Sequence, residues 1–387
     1  MKITQVYDLV NPITAEMIGE EGILQEDLSN VVSVGKNIQN LDNWQNKFVN
    51  ALVDRIGRFK VVDRPYDGFA PRIMMEAWEF GSILMKVASD MPEATVNETW
   101  ELTDGASYDP FVYKANKAYA KFFNDMVTFE LDKSIEDRQL KSSFRSATEL
   151  NSFVTMLFNE VDKSMTVKND GLKMRTINSM IADTFYDMNS GGTYTGAGNV
   201  RCVNLLYQYN QKFDESLTAA EAITDGGFLR FASFTMGLYM DRMKKLSTLF
   251  NIGGKQRFTP PDLLHVVMLS EFKEAAGVYL YDAANQFNSE SLKFPEAETL
   301  PYWQGSGTDY GFGSTSKINV VSGNGNAVEA TGILCVMFDH ECLGIANENS
   351  RVTTQYNPKA EFTNYFYKRD ARFFTDANEN FVVFYVA

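Results

Sequence analysis

The chain reads as an α+β protein in which helix and strand occupy separate stretches. Two observations carry this. Between Ser146 and Met188, the residues Leu150, Phe153, Val154, Leu157, Phe158, Val161 and Met165 recur at three- and four-residue steps, and the pattern resumes at Met174, Ile177, Ile181, Phe185 and Met188. That is the period of one helical face. Residues 61–133 and 331–387 instead break into short strand-type pieces, some alternating apolar and polar and others, such as Ile333–Phe338 and Phe381–Val386, continuously apolar.

The 387 residues are 44% hydrophobic and 22% charged, enough for two or more lobes with real cores. Phenylalanine (29) and tyrosine (18) are abundant, so much surface is available for aromatic burial within the chain or between chains. The net charge of −14 argues against a protein built to grip nucleic acid broadly or to dock on anionic membranes, since both need a basic face. An acidic surface can still face DNA without sticking to it. The opening MKITQVYD lacks the apolar core of a signal peptide, and no run of about 18 apolar residues spans a bilayer. Cys202, Cys335 and Cys342 are too few and odd in number for a disulfide framework, which points to synthesis in a reducing cytoplasm.

Taken in order, residues 1–60 read as an arm with little core of its own, punctuated at Asn11-Pro12 and Gly19–Gly22. A helical stripe appears only at Trp44, Phe48, Leu52 and Ile56, with Asp42 as a cap. Such a segment packs on something else or stays disordered. In 61–133, strands are expected at Ile83–Ala88, Val96–Leu102 and around Val127, Phe129 and Leu131, with a turn-rich tip at Thr103–Pro110. The reading is a long hairpin that needs a partner surface, the alternative being a small sheet packed on its own chain. Ser134–Asp137 carries a capping signature for a short helix with Leu140 and Phe144 inward.

Ser146 and Glu149 cap the long central stretch, and Asn169-Asp170-Gly171 interrupts it. One interrupted helix, two helices in line, and an αα-hairpin folded at Gly171 all remain open. From 200 to 330 a mixed lobe is expected: a helix over Phe228–Phe250 with Ala232, Met236, Tyr239, Met243 and Leu246 on one stripe, a buried strand at Leu263–Leu269, a helix over Ala275–Phe287, and a loop over 305–326. Strands at Ile333–Phe338, Arg351–Tyr356, Phe362–Tyr367 and Phe381–Val386 follow, the last expected to pair because a loose apolar strand aggregates.

No constellation for catalysis stands out. The glycine-rich loop 190–198 is not closed by Gly-Lys-Ser/Thr and follows no strand, so a phosphate cradle is rejected. The two histidines are His265, read as a satisfied core or interface residue, and His340. Cys335, His340 and Cys342 match no zinc spacing, and neither a metal site nor a Cys342–His340 nucleophile pair is expected. Lys368–Arg372 beside the aromatics of 362–374 could stack single-stranded bases, but sheet packing or a subunit contact with local ion pairs is the favoured reading. No catalytic, cofactor-binding or metal residue is assigned.

An unsupported arm, a protruding hairpin, a long central helix, an α/β lobe and closing strands form a recognisable order. With passages such as RFTPPDLLHVVM at Arg257–Met268, LPYWQG at Leu300–Gly305, NYFYKRDA at Asn364–Ala371 and the closing NFVVFYVA, the chain resembles the major capsid proteins of tailed bacteriophages, the Hong Kong ninety-seven-type fold, and is similar to those of phages of low-GC Gram-positive and gut bacteria. The resemblance implies an N-terminal arm at 1–60, an extended loop at 61–133, a peripheral domain with a spine helix at 134–189, an axial domain at 190–330, and strands at 331–387 closing both domains. It implies a structural protein of the virion, not an enzyme and without cofactors, assembling in the host cytoplasm as pentamers and hexamers into an icosahedral shell around double-stranded DNA. Its implied partners are itself, a separate scaffolding protein, a portal protein and DNA held without sequence-specific contacts, with no membrane. The same fold makes encapsulin nanocompartments, the runner-up, and a soluble acidic enzyme using the 190–330 lobe is a distant third. Some members cross-link a loop lysine to an asparagine; Lys114, Lys117 and Lys121 occupy that region, and no such bond is inferred. Within the loop, Trp100, Phe111 and Tyr113 lie at or near the tip and are expected at a subunit interface, because large aromatics there need a covering surface.

Overall fold

A computed structural model of the protein describes residues 3–39, 44, 47, 48, 51, 68–75, 83–89, 118–136, 147–190, 192–279, 297–304, 311–323 and 325–387, with single positions between 91 and 115. Two compact units emerge, each assembled from separated stretches: Met1–Ala70, Met126–Lys173 and Ile345–Arg372 in the first, and Pro71–Asp125, Met174–Gly344 and Phe373–Ala387 in the second.

The central apolar period becomes one helix, Ala147–Asn189, 43 residues without a break and on the order of 65 Å long. It is neither interrupted nor folded at Asn169-Asp170-Gly171. Gly171 has no positive φ. Asn169 and Asp170 are buried, and the Asp170 carboxylate accepts the backbone N–H of Phe69 at 3.0 Å and sits 3.4 Å from Lys173 Nζ. The polar pair that looks like a turn is therefore a buried docking point for a segment about a hundred residues away in sequence, and tertiary contacts override the local signal.

In the first unit the segment expected to have little core of its own packs on other stretches of the chain. Ile3–Ile18 and Val31–Gln39 are helices joined by a 3-10 turn at Gly19–Gly22. Their apolar stripes, Val6, Leu9, Val10 and Ile13 on one and Val31, Val34 and Ile38 on the other, are buried with Trp44, Phe48, Ile135, Val161, Met165, Tyr365 and Tyr367. Pro12 lies inside the first helix and does not end it. A mid-helix proline costs about 3 kcal/mol, whereas four buried aliphatic side chains return roughly 1.5–3 kcal/mol each. Leu52 and Ile56 lie outside the described residues.

Strand β3 (Met126–Glu136) holds Val127, Phe129 and Leu131 and pairs antiparallel with β11 (Phe362–Thr375), which also pairs with β10 (Leu343–Asn357). The helix expected at Ser134 is corrected, because Ser134 is in β3 and its hydroxyl donates to Asn364 Oδ1 at 2.6 Å; Asp137, Leu140 and Phe144 lie outside the described residues. Two cations of the basic patch of β11 are spent on neighbouring strands: Lys368 lies 3.4 Å from Glu130, and Arg372 bonds Glu348 at 2.5 Å. Sheet packing with local ion pairs accounts for these cations.

The second unit is organised by a five-stranded sheet in the order β4 (Cys202–Asn204), β12 (Phe381–Tyr385), β9 (Ile333–Asp339), β5 (Leu264–Leu269) and β6 (Glu298–Leu300). The last strand, β12, lies inside the sheet, parallel to β4 and antiparallel to β9. Phe381, Val382, Val383, Phe384 and Tyr385 are all buried. The Phe185 ring from the long helix meets Tyr385 edge-on at 5.0 Å, and Asn178 donates to the Trp303 carbonyl at 2.7 Å. Helix Gly226–Met243 buries Ala232, Met236, Tyr239 and Met243 but ends before the expected Phe250, because Ser247 and Arg257 exchange two backbone hydrogen bonds of 2.9 Å and draw the chain out of helix. Leu246 is left exposed. The next helix is Ser270–Tyr279, starting directly from β5 rather than at Ala275, and 280–287 lie outside the described residues. The expected loop at 305–326 contains a helical turn, Phe312–Thr315, and the first strand of a hairpin, β7 (Ile318–Val321) with β8 (Ala327–Ala330), for which the glycine- and asparagine-rich run supplies the turn. Among the described residues no helix is long and apolar enough to cross a membrane.

Three alanine substitutions check this account. A Cβ at Gly171 meets nothing within 4 Å, so Gly171→Ala is expected to stabilise the protein by roughly 0.5–1 kcal/mol through helix propensity; a loss of stability in chemical denaturation would mean a turn. Gly332 has φ +75° and an added Cβ would stand 1.9 Å from the Val386 carbonyl oxygen, whereas Gly325, with φ +82°, has open space. Both alanine variants carry a left-handed strain of about 1–3 kcal/mol, and Gly332→Ala is expected to lose clearly more, read as a lower denaturation midpoint.

Candidate assembly interface

The hairpin expected in 61–133 is present, with β1 (Leu84–Ser89) and β2 (Ala118–Phe123) as its antiparallel strands. Its return strand is β2 and not the Val127–Leu131 segment, which belongs to β3. Alternation gives the pair two unlike faces. Met85 is opposite Phe122, Val87 opposite Ala120, and Ser89 opposite Ala118. This face is almost wholly apolar and exposed, with Met85 54%, Val87 63% and Phe122 62% accessible.

The other face carries Lys86, Tyr119 and Lys121 with Leu84 and Phe123, and it is held by charge. Lys86 Nζ lies 3.2 Å from the Glu341 carboxylate and 3.8 Å from Asp376, and also bonds the Glu341 carbonyl. Lys121 Nζ lies 3.1 Å from the same, almost fully buried Asp376 carboxylate. The Lys86 ammonium stands 4.7 Å over the Phe374 ring, which packs on Phe123 at 5.1 Å. Tyr119 accepts from Arg257 at 2.9 Å while Lys255 stands 4.1 Å over its ring, and Arg257 Nε is 3.0 Å from both oxygens of Glu379. Lys86, Tyr119, Lys121, Arg257, Asp376 and Glu379 help to line a cleft of about 270 Å³. Burial pushes the Glu379 carboxyl up and outweighs the pull of Arg257, whereas Glu379 and Tyr119 carry the guanidinium up against the opposing effect of burial. The two shifts disagree about whether the charged pair is favoured. The two-oxygen contact shows that the pair is formed, and its burial makes it a positioning contact and not a large source of stability.

Two of the three expected interface aromatics are among the described residues. Phe111 and Tyr113 are 89% and 88% exposed, with no local core to cover them. Trp100 lies outside the described residues, as do 97–102 of the expected strand, and Val96 is exposed and not in a strand. Sequence reasoning missed the outward face of Met85, Val87 and Phe122 and the charged footing. The alternation of Leu84–Ser89 is visible in the sequence, but the strand facing it is Ala118–Phe123, earlier in the chain than the expected Val127–Leu131. Lys121 is committed to Asp376, while Lys114 and Lys117 lie outside the described residues.

Conventional reactive chemistry is not assembled nearby. Among the described residues no group of three or more His, Cys, Asp or Glu is placed to hold a metal. Burial pushes the Cys335 and Cys342 thiols far up, and Cys342 is enclosed with its Sγ 3.6 Å from the Asp376 carbonyl, a poor setting for a nucleophile. His340 instead pairs with His265, Nδ1 to Nε2 at 3.0 Å, so each histidine finds its partner in the other.

Among curated proteins none is similar in sequence. A chain in the capsid structure of Staphylococcus phage Andhra is similar in fold, at 10% identity over 85% of this chain and 88% of that one, with a TM-score of 0.51. A chain in the capsid structure of the Cyanophage P-SCSP1u overlays with a TM-score of 0.47 at 12% identity, covering 86% of this chain and 91% of that one. The Andhra likeness shows the α+β phage capsid fold expected from the sequence. The family model for the Phi29-like phage major capsid protein matches residues 10–385, nearly the whole length. That family is a structural component of the virion shell and not an enzyme, and by this match the chain belongs to the Phi29-like phage major capsid proteins.

Proposed function

We propose that the protein forms the pentamers and hexamers of an icosahedral shell around packaged double-stranded DNA, and that the β1–β2 hairpin is the part each copy lays on its neighbour. The observation that carries the second step is the hairpin's division of labour. Its charged face is satisfied within the chain, and its apolar face of Met85, Val87 and Phe122 is left to solvent. A monomeric surface seldom exposes such a contiguous strip. In a self-assembling capsid protein, the surface available to cover it is another copy. Residues 61–133 then act as the extended loop, 1–60 as the arm, 134–189 as the peripheral domain with its spine helix, 190–330 as the axial domain and 331–387 as the closing strands. Trp100 belongs to the same contact.

The remaining partners follow from the role: a separate scaffolding protein, a portal protein, and DNA facing the inner wall without sequence-specific contacts, with assembly in the host cytoplasm. The net charge of −14 suits a wall that must not adhere to its contents. The family match favours a phage head over an encapsulin-type compartment, and portal and terminase genes beside this one would agree with it.

Electron microscopy of the protein co-expressed with its scaffolding partner is expected to show uniform closed shells; monomers under every such condition would overturn the proposal. Phe122→Ser and Trp100→Ala are each expected to leave the monomer's melting temperature within a few degrees and to abolish or delay shell formation. An interface aromatic is worth about 2 kcal/mol or more, and a closed lattice repeats the loss at every copy. A monomer that unfolds, or a shell that forms normally, would place these residues in an intramolecular sheet or a free surface.

A further inference from the structure

The chain has only two histidines, 75 positions apart, and the fold brings them into contact. His265 is on β5, half-buried, with its ring stacked on Phe338 at 5.4 Å and 12°. His340 begins the turn that leaves β9, and its backbone N–H donates to the Leu263 carbonyl at 2.8 Å. The side-chain contact is a hydrogen bond between ring nitrogens, so one ring donates N–H and the other offers a lone pair.

The turn after His340 is the hairpin's footing. Asp339 Oδ1 accepts the Glu341 N–H at 2.9 Å, and the Cys342 N–H donates to the Asp339 carbonyl at 2.8 Å. Glu341 holds Lys86 of β1, and the Cys342 carbonyl accepts the N–H of Asp376, whose carboxylate is shared by Lys86 and Lys121. One turn of four residues, 339–342, thus has the histidine pair at its start and the hairpin's lysine anchor next to it.

We propose that the His265–His340 pair is a proton-operated catch beneath the hairpin, closed while the two rings share at most one proton and opened when both are charged. This rests on the reading of the hairpin as the assembly element and adds its regulation. With no proton added, or with one, an N–H still points at a lone pair. With two, both facing nitrogens carry hydrogens and two positive charges stand 3.0 Å apart, which no reorientation of a single hydrogen relieves. The strain falls on the turn, because β5 is held by ladders on both sides, to β9 and to β6. The charges facing the pair are Glu298 on β6 and Asp339 on the turn, both of which favour the imidazolium, with Lys86 and Asp376 on the far side of Glu341. For His265 these carboxylates are outweighed. Burial first, and then His340, hold it below the ordinary histidine value. A depressed value means that the folded state resists the proton more than the unfolded chain does. The catch therefore contributes stability above about pH 6.5 and loses it as pH falls through the histidine range.

Hydrogen–deuterium exchange on the unassembled full-length protein, at about pH 7.5 and about pH 5, tests this, with the β12 peptide as internal reference for the intrinsic pH effect on exchange. In the wild type, peptides covering β1, β2 and the 339–342 turn are expected to lose roughly tenfold more protection at the lower pH than β12 does. His340→Asn and His265→Phe, neither of which can form the doubly charged pair, are expected to abolish that difference; should one misfold, the other decides. A wild type with no selective loss, or a loss equal in wild type and variants, overturns the proposal. The outcome is independent of shell formation by Phe122→Ser at neutral pH, so failure of the catch and failure of the hairpin as assembly element are separable.

Discussion

A two-stranded hairpin has no interior, so it cannot hold its own position by burial. Here the missing interior is replaced by one buried carboxylate, Asp376, to which both strands send a lysine, Lys86 from β1 and Lys121 from β2. Much of the second unit's local architecture serves that point. Asp376 lies between the end of β11 and the start of β12, and its backbone is tied to Cys342 after β9. Phe374 and Phe123 shield the site from one side, and Arg257, Tyr119 and Glu379 brace the other. Because lysines point inward, alternation sends Met85, Val87 and Phe122 outward. The exposed strip is thus a geometric consequence of how the hairpin is anchored.

The long helix plays the corresponding part for the cores. Its N-terminal half contributes Val161 and Met165 to the cluster that buries the first two helices, and its C-terminal half contributes Ile177, Ile181 and Phe185 to the second unit. Between them sit Asn169 and Asp170, polar and buried, with Asp170 receiving the Phe69 N–H. There Asp170 replaces apolar contact with a hydrogen bond that ties the helix to a remote segment of the first unit.

Legibility in the sequence followed the strength of local pattern. The central helix, β5, β9 and β12 were readable because each is a sustained apolar period or run, and burial is what such patterns record. The first helix was misread because Asn11-Pro12 is a strong breaker by local rules, although Val6, Leu9, Val10 and Ile13 already stood at helical spacing. Asn169-Asp170-Gly171 misled in the same way, since a turn signal cannot reveal a partner as remote as Phe69. The outward strip was only half visible: β1 alternates clearly, but its partner AYAKFF carries two aromatics in succession, which hides which one faces out. The charged footing and the histidine pair had no local signature, because both join residues from strands paired across long separations.

The position of β12 has a consequence for how the molecule comes to exist. Its neighbours in the sheet are β4, nearly two hundred residues earlier, and β9. As the chain emerges from the ribosome in order, β4 waits without a partner while every other strand of that sheet is made, and the middle of the sheet stays open until Phe381–Tyr385 arrives. The same late segment brings Asp376, so the lysines of β1 and β2 also lack their anchor until then. Completion of the sheet and of the hairpin's anchor therefore both wait on one late segment, 376–385.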